Sequence, residues 1–231
     1  MRVLLSAILF FALLSCETER TLNLPLVSED IVLTDSFSQI QVMGDLNLIL
    51  QQDTAKHITK TTYQGFTNSI QAQVTGTTLF LESDPYVLSD ALQLVNIFGH
   101  KPVRIQSNDN AKVSGVLTSS QLYLSHNSIR SMDLFVLNYA TEAYVNSSGF
   151  LKMTGGGEIL SLIVNGPAEV NTVYYDAETV KVVHNSSNNV YIRAEDFLTV
   201  EINGSGNVYY SGFPTIDAII NGSGQLIQYF P

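Results

Sequence analysis

Two pairs of acidic residues are spaced so that they could act together on a substrate. Asp176 and Glu178 precede Glu195 and Asp196 by 18 to 19 residues, an interval at which other features of the sequence also recur. Glycosidases use two carboxyl groups roughly 5 to 9 Å apart. The same four side chains would also suit a weak Ca²⁺ site, because Ca²⁺ prefers oxygen ligands. A third interpretation is that they are solvated charges at neighbouring corners of the chain.

Histidine and serine offer no further catalytic motif. The histidines lie too far apart in sequence for a short metal-ligand motif; they are His57, His100, His126 and His184. We expect His126 and His184 to be corner residues with backbone hydrogen-bond partners. Ser205 lies between glycines, but it has a copy at Ser223, and a nucleophile need not recur whereas a turn does. The sequence therefore predicts no catalytic residue, no cofactor and no metal-binding residue.

Tyrosines are the remaining candidates for ligand recognition. The sequence has 11 tyrosines and no tryptophan, and aromatic faces suit contacts with sugars or proteins. Tyrosine also favours β-strands for purely structural reasons, so both interpretations stay open. The tyrosines of the repeated region are Tyr123, Tyr144, Tyr174, Tyr175, Tyr191, Tyr209 and Tyr210.

A repeat of about 19 residues must position these side chains. It is clearest in Leu198 to Tyr210 and Ile216 to Gln228, where Asn-Gly-Ser-Gly separates two apolar runs. A fixed short period indicates units that bury their apolar faces only by stacking. The recurring asparagines are 18 to 20 residues apart: Asn108, Asn127, Asn146, Asn165, Asn185, Asn203 and Asn221.

The columns around these asparagines predict the fold class. All residues three before and five after them are apolar, whereas those four before are mostly polar, from Arg104 to Asp217. Such alternation is typical of strands with one buried face. We therefore predict an all-β protein with a β-solenoid, similar to a parallel β-helix, over residues 102–231. At its corners we expect glycine and asparagine to adopt positive φ, and the asparagines to hydrogen-bond from coil to coil.

The region before the repeat, residues 31–101, predicts an N-terminal β segment that closes the solenoid or begins an irregular first layer. The alternating runs Ile70 to Val74 and Thr78 to Leu81 flank Gly76 and predict a hairpin. Ser89 to Phe98 interrupts the pattern and suggests a short helix or an excursion loop. Tyr229 to Pro231 would blunt the open edge of the last coil.

The first 15 residues are one arginine and an almost unbroken apolar run, which is typical of a signal peptide. The run ends in Leu13-Leu14-Ser15-Cys16, which resembles a bacterial lipobox. That resemblance implies lipidation of Cys16, the only cysteine, and a membrane anchor through its acyl chains. The alternative is a buried free thiol. We assign residues 1–15 to a lipoprotein signal peptide and 16–30 to a tether.

Charge excludes some partners. The formal net charge is −10, and the basic residues form no cluster, which argues against nucleic acid and anionic membrane surfaces as partners. Only 14% of residues are charged and 45% are hydrophobic, which indicates a chain that forms a core.

Several segments together resemble the head GIN domain, a family described as putative auto-transporter adhesin and common in lipoproteins of the Bacteroidetes. They are Phe37 to Val42, Gly44 to Leu50, Asn203 to Pro214 and Asn221 to Leu226. The family's Gly-Ser-Gly corners are replaced at Ser107 to Asp109, His126 to Ser128 and Asn185 to Ser187. The resemblance implies a β-rich, non-enzymatic surface protein.

These observations favour a lipid-anchored, non-enzymatic binding or structural protein of the cell envelope, located at the outer membrane or cell surface. Its expected partners are the membrane, through Cys16, and a glycan or protein ligand. One alternative is a polysaccharide-active enzyme that uses the paired carboxylates. Another is a scaffold that faces the periplasm. The sequence does not identify the ligand or the oligomeric state.

Overall fold

The computed structural model describes residues 24–86 and 91–230. Within them the chain is all-β, with a single 3₁₀ turn at Thr67–Ser69, which confirms the predicted fold class. The strands are β1 (Leu26–Asp30), β2 (Gln39–Met43), β3 (Asn47–Gln51), β4 (His57–Tyr63), β5 (Ile70–Thr75), β6 (Thr78–Ser83), β7 (Gln93–Phe98), β8 (Arg104–Asp109), β9 (Lys112–Ser128), β10 (Met132–Val145), β11 (Leu151–Val164), β12 (Val170–His184), β13 (Val190–Arg193), β14 (Phe197–Ile202), β15 (Val208–Ser211), β16 (Thr215–Ile220) and β17 (Leu226–Gln228).

The repeat forms a right-angled stack of coils in which each residue lies beside its counterpart one period later. Met132 pairs in parallel with Val113 on one side and with Leu151 on the other. Each coil has two legs, which are the two ends of one long bent strand in β9 to β12 and separate strands in the later coils. The predicted solenoid, with about seven turns and coils about 19 residues apart, is confirmed.

The apolar columns fill the interior. Ile105, Leu124 and Leu162 are fully buried three residues before their asparagines, and the polar column beside them faces outward. Thr141, the polar exception in the inward column, is also buried, and its hydroxyl lies within reach of the Tyr175 hydroxyl. The alternation in the sequence therefore sets which face of each strand joins the core.

An unbroken asparagine ladder runs along one corner, as the sequence predicted. In every coil the Nδ2 of the asparagine donates to the Oδ1 of the asparagine one coil earlier. The six distances, from the Asn127–Asn108 pair to the Asn221–Asn203 pair, are 3.1, 2.9, 2.8, 2.7, 2.8 and 2.8 Å. Each amide between the ends both donates and accepts, so the coils are held in register.

The expectation that the Asn-Gly-Ser-Gly corners need positive φ is wrong. Among the described residues Asp109 is the single non-glycine residue with positive φ, and Gly204, Gly206, Gly222 and Gly224 are not among the positive-φ glycines. They are required for a different reason: a Cβ on Gly206 would lie 2.0 Å from the carbonyl oxygen of Asn188 in the preceding coil. Close backbone approach between coils, and not turn handedness, selects glycine there.

The N-terminal segment is woven into the stack. β2 lies between β6 and β8, and β3 lies between β7 and β9, all in parallel. Antiparallel strands end the stack: β5 covers β6, and β4 with β1 covers β7. The predicted hairpin around Gly76 is present as β5 and β6. One core runs from Ile40 to Val208.

Two segments differ from the sequence-based expectation. Gln93–Phe98 is strand β7, buried on alternate residues, so neither the helix nor the excursion loop describes it. Leu26–Asp30, which we assigned to the end of the tether, forms strand β1 against β4. No helix within residues 24–86 and 91–230 is long and apolar enough to cross a membrane.

The last coil is blunted less than we expected. Ile216 and Ile220, which continue buried columns, are 40% and 50% exposed. Tyr229 packs edge-on against Tyr191 and Tyr209 of earlier coils, and Phe230 is exposed. The terminal aromatic residues therefore decorate the side of the solenoid and leave the edge of β16 open.

Candidate functional site

The paired carboxylates do approach one another, but an arginine lies between them. The Nε of Arg193 is 3.0 Å from an oxygen of Asp176 and 2.5 Å from an oxygen of Glu195. Glu178 and Asp196 stack at the same corner, where the Asp196 amide donates to the Glu178 carbonyl. The guanidinium occupies the space that a glycosidic oxygen and an attacking water would need. The arrangement therefore fits an exposed ion-pair cluster better than an acid–nucleophile pair.

Metal ligation finds no support at that corner. Within residues 24–86 and 91–230, no group of three or more His, Cys, Asp or Glu side chains is placed to hold a metal ion. Asp176 is 66% exposed on its side chain, so a cation there would keep most of its water. The weak Ca²⁺ site considered from the sequence is not assembled by these residues.

The two corner histidines differ from expectation, because they are buried and lack backbone partners. His126 is fully buried, and its Nδ1 lies 2.8 Å from the Ser107 hydroxyl of the preceding coil. Burial lowers the pKa of His126 to about 4. His184 is also fully buried, and burial lowers its pKa. Backbone groups near the His184 ring do not reach hydrogen-bonding geometry, so both residues act as neutral core side chains.

The tyrosines divide into three groups. Tyr175 is a core residue and not a recognition residue, since it is fully buried with its hydroxyl donating to Asn138 Oδ1 at 2.6 Å. Tyr123 and Tyr144 point outward as predicted; Arg104 lies 5.0 Å over the Tyr123 ring. The third group is a cluster of Tyr191, Tyr209 and Tyr229 on the side of the late coils.

The roomiest of the clefts described lies near the N-terminal end of the solenoid and was not predicted. We call it the His100 cleft; its volume is about 430 Å³. It is lined by Gln52, Asp53, Thr54, Gly99, His100, Lys101, Val116 and Thr118. This volume lies within the range of roughly 300 to 1,000 Å³ that is usual for small-ligand sites. Donors, one carboxylate and one apolar side chain all converge on it.

Three chain segments build this cleft. The loop after β3 turns because the Asp53 carboxylate accepts the Ala55 amide at 3.1 Å, and this hydrogen bond lowers the pKa of Asp53. Gly99 has φ of +67° and lies so close to that loop that a Cβ would be 2.5 Å from the Ala55 carbonyl oxygen. Gln52 donates to the Thr118 hydroxyl across the cleft. The floor is thus fixed by backbone packing and the rim by side chains.

His100 separates this cleft from a smaller one. Its ring stacks on Phe37 with centroids 4.5 Å apart, and the second cleft, of about 180 Å³, lies on the side of Ile31, Leu33 and His57. Burial, with the charges of Lys56 and His57, lowers the pKa of His100. The histidine is therefore a mostly neutral hydrogen-bonding group at neutral pH, placed between two recesses.

The arrangement can bind a small polar group, but it offers no obvious chemistry. The hydroxyls of Thr54 and Thr118 are secondary alcohols, and no His–Ser or His–Cys pair is assembled in the lining. Cys16 lies outside the described residues, so its predicted lipidation is not placed by the structure. The sequence gave one signal for this site, the Gly99-His100 pair, and its partners are tens of residues away.

Comparison with known families settles the classification. The family model described as "putative auto-transporter adhesin, head GIN domain" matches residues 36–214. The chain belongs to the head GIN domain family. The resemblance seen in the sequence is thereby confirmed, including its extent over most of the chain. A comparison with curated proteins gives no match for this head GIN domain protein.

Solved structures show the same fold at low sequence identity. A putative adhesin from Bacteroides fragilis NCTC 9343 is 19% identical, with 89% of this chain and 97% of that chain covered and a TM-score of 0.81. A putative adhesin from Parabacteroides merdae ATCC 43184 is 16% identical, with 90% and 98% covered and a TM-score of 0.67. A putative lipid binding protein from Parabacteroides distasonis ATCC 8503 is 16% identical, with the same coverage and a TM-score of 0.68.

Proposed function

We propose that this head GIN domain protein is a lipid-anchored, non-enzymatic, adhesin-like binding module at the outer membrane or cell surface. The observation that carries the proposal is a ligand-sized cleft on a rigid solenoid whose described residues assemble no catalytic group. The family's adhesin-like description supports the same role. Binding is the function that this surface can perform with the side chains it presents.

The proposed anchor is the acylated Cys16. Acyl chains contribute roughly 0.8 kcal/mol per buried methylene, so two or more chains hold a protein firmly on a membrane. The first described residue, Leu24, leads into β1 at the edge of the stack. A tether there would attach the N-terminal end of the solenoid, and with it the His100 cleft, nearest to the membrane.

The ligand of the His100 cleft is a small polar group carried by a glycan or a protein. Lys101, Gln52 and Thr118 supply donors, Asp53 supplies an acceptor, and Val116 supplies an apolar edge. Because the pKa of His100 is lowered, the ring binds as a neutral group at pH 7. The preformed walls keep the entropic cost of binding low.

Location is tested by protease treatment of intact cells, with an antibody against the last coils as readout. We expect the signal to be lost from intact cells, and the Cys16→Ser variant to leave the membrane fraction. Loss of signal only after lysis would overturn the surface location and favour the periplasmic scaffold. Retention of Cys16→Ser in the membrane would overturn the lipid anchor.

Binding is tested by comparing cell or glycan attachment of the wild type with two variants. We expect His100→Ala together with Val116→Asp to lower attachment at least tenfold, since both change the cleft lining. Thr199→Ala, an exposed residue on β14, is the matched control and should attach like the wild type. Equal attachment by both variants would show that the cleft is not the binding site.

The enzymatic alternative has its own test. Asp176→Asn with Glu195→Gln removes the carboxylates nearest to Arg193 while keeping their shapes. We expect the wild type and this double variant to leave polysaccharides equally intact. Glycan cleavage by the wild type that disappears in the variant would instead establish the enzyme.

A further inference from the structure

A second recess lies beside the tyrosine cluster, far from the His100 cleft. Tyr191 and Tyr209 stack with ring centroids 4.9 Å apart and planes 12° apart, and Tyr229 meets both edge-on. The parallel register places Tyr209 on one side of Tyr191 and Asn171 on the other. Tyrosine therefore covers one ring face of Tyr191, while the other faces a shorter side chain.

The space left on that side is a cleft of about 210 Å³, which we call the Tyr191 cleft. Its lining is one aromatic side chain and four polar ones: Glu169, Ser187, Asn188, Asn189 and Tyr191. The volume is below the range of roughly 300 to 1,000 Å³ of drug-sized sites. It suits a single small ring with the rest of the ligand in solvent.

The polar groups of the Tyr191 cleft are held in place by their own hydrogen bonds. Asn189 Oδ1 accepts the Asn207 amide at 3.1 Å, and Asn207 Oδ1 accepts the Gln225 amide at 3.0 Å. Asn188 Nδ2 donates to the carbonyl of Pro167. These contacts leave the Asn189 Nδ2 donors and the Asn188 Oδ1 acceptor available to a ligand. A site fixed in this way loses little conformational freedom when it binds.

Charge narrows the ligand class. The lining contains one carboxylate, from Glu169, and no lysine or arginine, and the whole chain has a formal net charge of −10. An anionic ligand would be repelled, whereas a hydroxyl-rich neutral one would donate to Glu169 and to the amide oxygen. Charge-assisted hydrogen bonds of that kind are about twice as strong as neutral ones.

We propose that the Tyr191 cleft binds one uncharged pyranose ring of a glycan. The apolar C–H face of the sugar lies on the free face of Tyr191, and its hydroxyls bond to Glu169 and to the amides of Asn188 and Asn189. Aromatic rings carry a negative face that attracts such C–H groups. The two clefts lie about four coils apart, roughly 19 Å at the spacing of neighbouring strands. This proposal therefore stands independently of the His100 cleft and of where the protein is located.

The test is a titration of the full-length protein in detergent with methyl β-D-glucopyranoside, methyl β-D-galactopyranoside and methyl α-D-mannopyranoside. Tyrosine fluorescence serves as one readout, because the chain has no tryptophan, and calorimetry as the other. We expect at least one of the three sugars to bind saturably, and methyl glucuronide to bind more weakly than the neutral glucoside. No saturable binding of any sugar, or tighter binding of the glucuronide, would overturn the proposal.

Variants locate the binding site. We expect Tyr191→Ala and Glu169→Gln each to weaken binding at least tenfold, and Tyr191→Phe to retain it, since the ring face is what the sugar contacts. Tyr174→Ala removes a tyrosine that is 62% exposed outside the cleft and is the matched control. If Tyr191→Ala proves unfolded by circular dichroism, Glu169→Gln decides the outcome. Unchanged binding in Glu169→Gln, or equal loss in Tyr174→Ala, would refute the site.

Discussion

Acid should destabilise this solenoid through a histidine buried in its core. His126 is fully buried, with its Nδ1 paired to Ser107 and its Nε2 without a hydrogen-bond partner among the described residues. Burial lowers its pKa to about 4, whereas an unfolded chain holds the imidazole near 6.5. Between these two values the unfolded state binds more protons than the folded state, so the free energy of unfolding falls as pH falls.

The size of the effect follows from the gap between the two pKa values. One pKa unit corresponds to about 1.4 kcal/mol, so a gap of about 2.5 units gives a loss of about 3 kcal/mol. The loss begins as pH falls through about 6.5 and is complete below about 4. Above pH 7 the imidazole is neutral in both states and contributes no pH dependence. A loss of this size is a large share of the usual 5 to 15 kcal/mol of a domain.

The assay is urea unfolding of the wild type and His126→Gln at half-unit steps between pH 7.5 and 3.5, followed by circular dichroism. Glutamine does not titrate and can still bond to Ser107, so the difference between the two proteins isolates the imidazole. We expect the difference to change by about 3 kcal/mol between pH 6.5 and 4 and to be constant outside that window. Parallel curves for the two proteins would refute the reasoning.

Further predictions concern the corners and the exposed ion pairs. Asn165→Ala breaks two ladder bonds, of 2.8 and 2.7 Å, and should cost about 1–2 kcal/mol; Asn221→Ala breaks one and should cost about half as much in the same urea titration. Gly149→Ala would place a Cβ 2.2 Å from two backbone oxygens, so thermal melting should reveal a loss of about 2–3 kcal/mol; a loss below 0.5 would contradict the close approach. Arg193→Ala should change stability by less than about 1 kcal/mol, because its ion pairs are solvent-exposed.

The regular part of the fold was predictable because one signal repeats in every coil. An apolar residue three before each asparagine, such as Leu124 or Leu162, reports the same inward direction each time, and seven copies remove the ambiguity of any one. The ladder was predictable for the same reason, since stacked coils bring equal positions together. The corner glycines were placed correctly but for the wrong reason. Local turn preference does not reveal that Asn188 of the preceding coil occupies the space of a Cβ on Gly206.

The candidate sites were harder to predict, because they depend on contacts that no repeat encodes. The His100 cleft joins Gln52, His100 and Thr118, which come from three separate segments. β2 finds its neighbours β6 and β8 about 40 and 65 residues later, and nothing in its own sequence marks them. Tyr175 was grouped with the outward tyrosines because the irregular register between Lys152 and Thr154 is not visible in the sequence.

The placement of β2 and β3 inside the stack sets an order of assembly. Each repeat coil finds its preceding neighbour already synthesised, so those coils can add one after another. β2 and β3 wait instead, since both of their neighbours on each side follow them in the chain. Pairing across such separations closes long loops and slows folding. A chain emerging N-terminus first would therefore hold its earliest strands unpaired until β9 arrives, and the oldest part of the nascent protein would be the last to become solid.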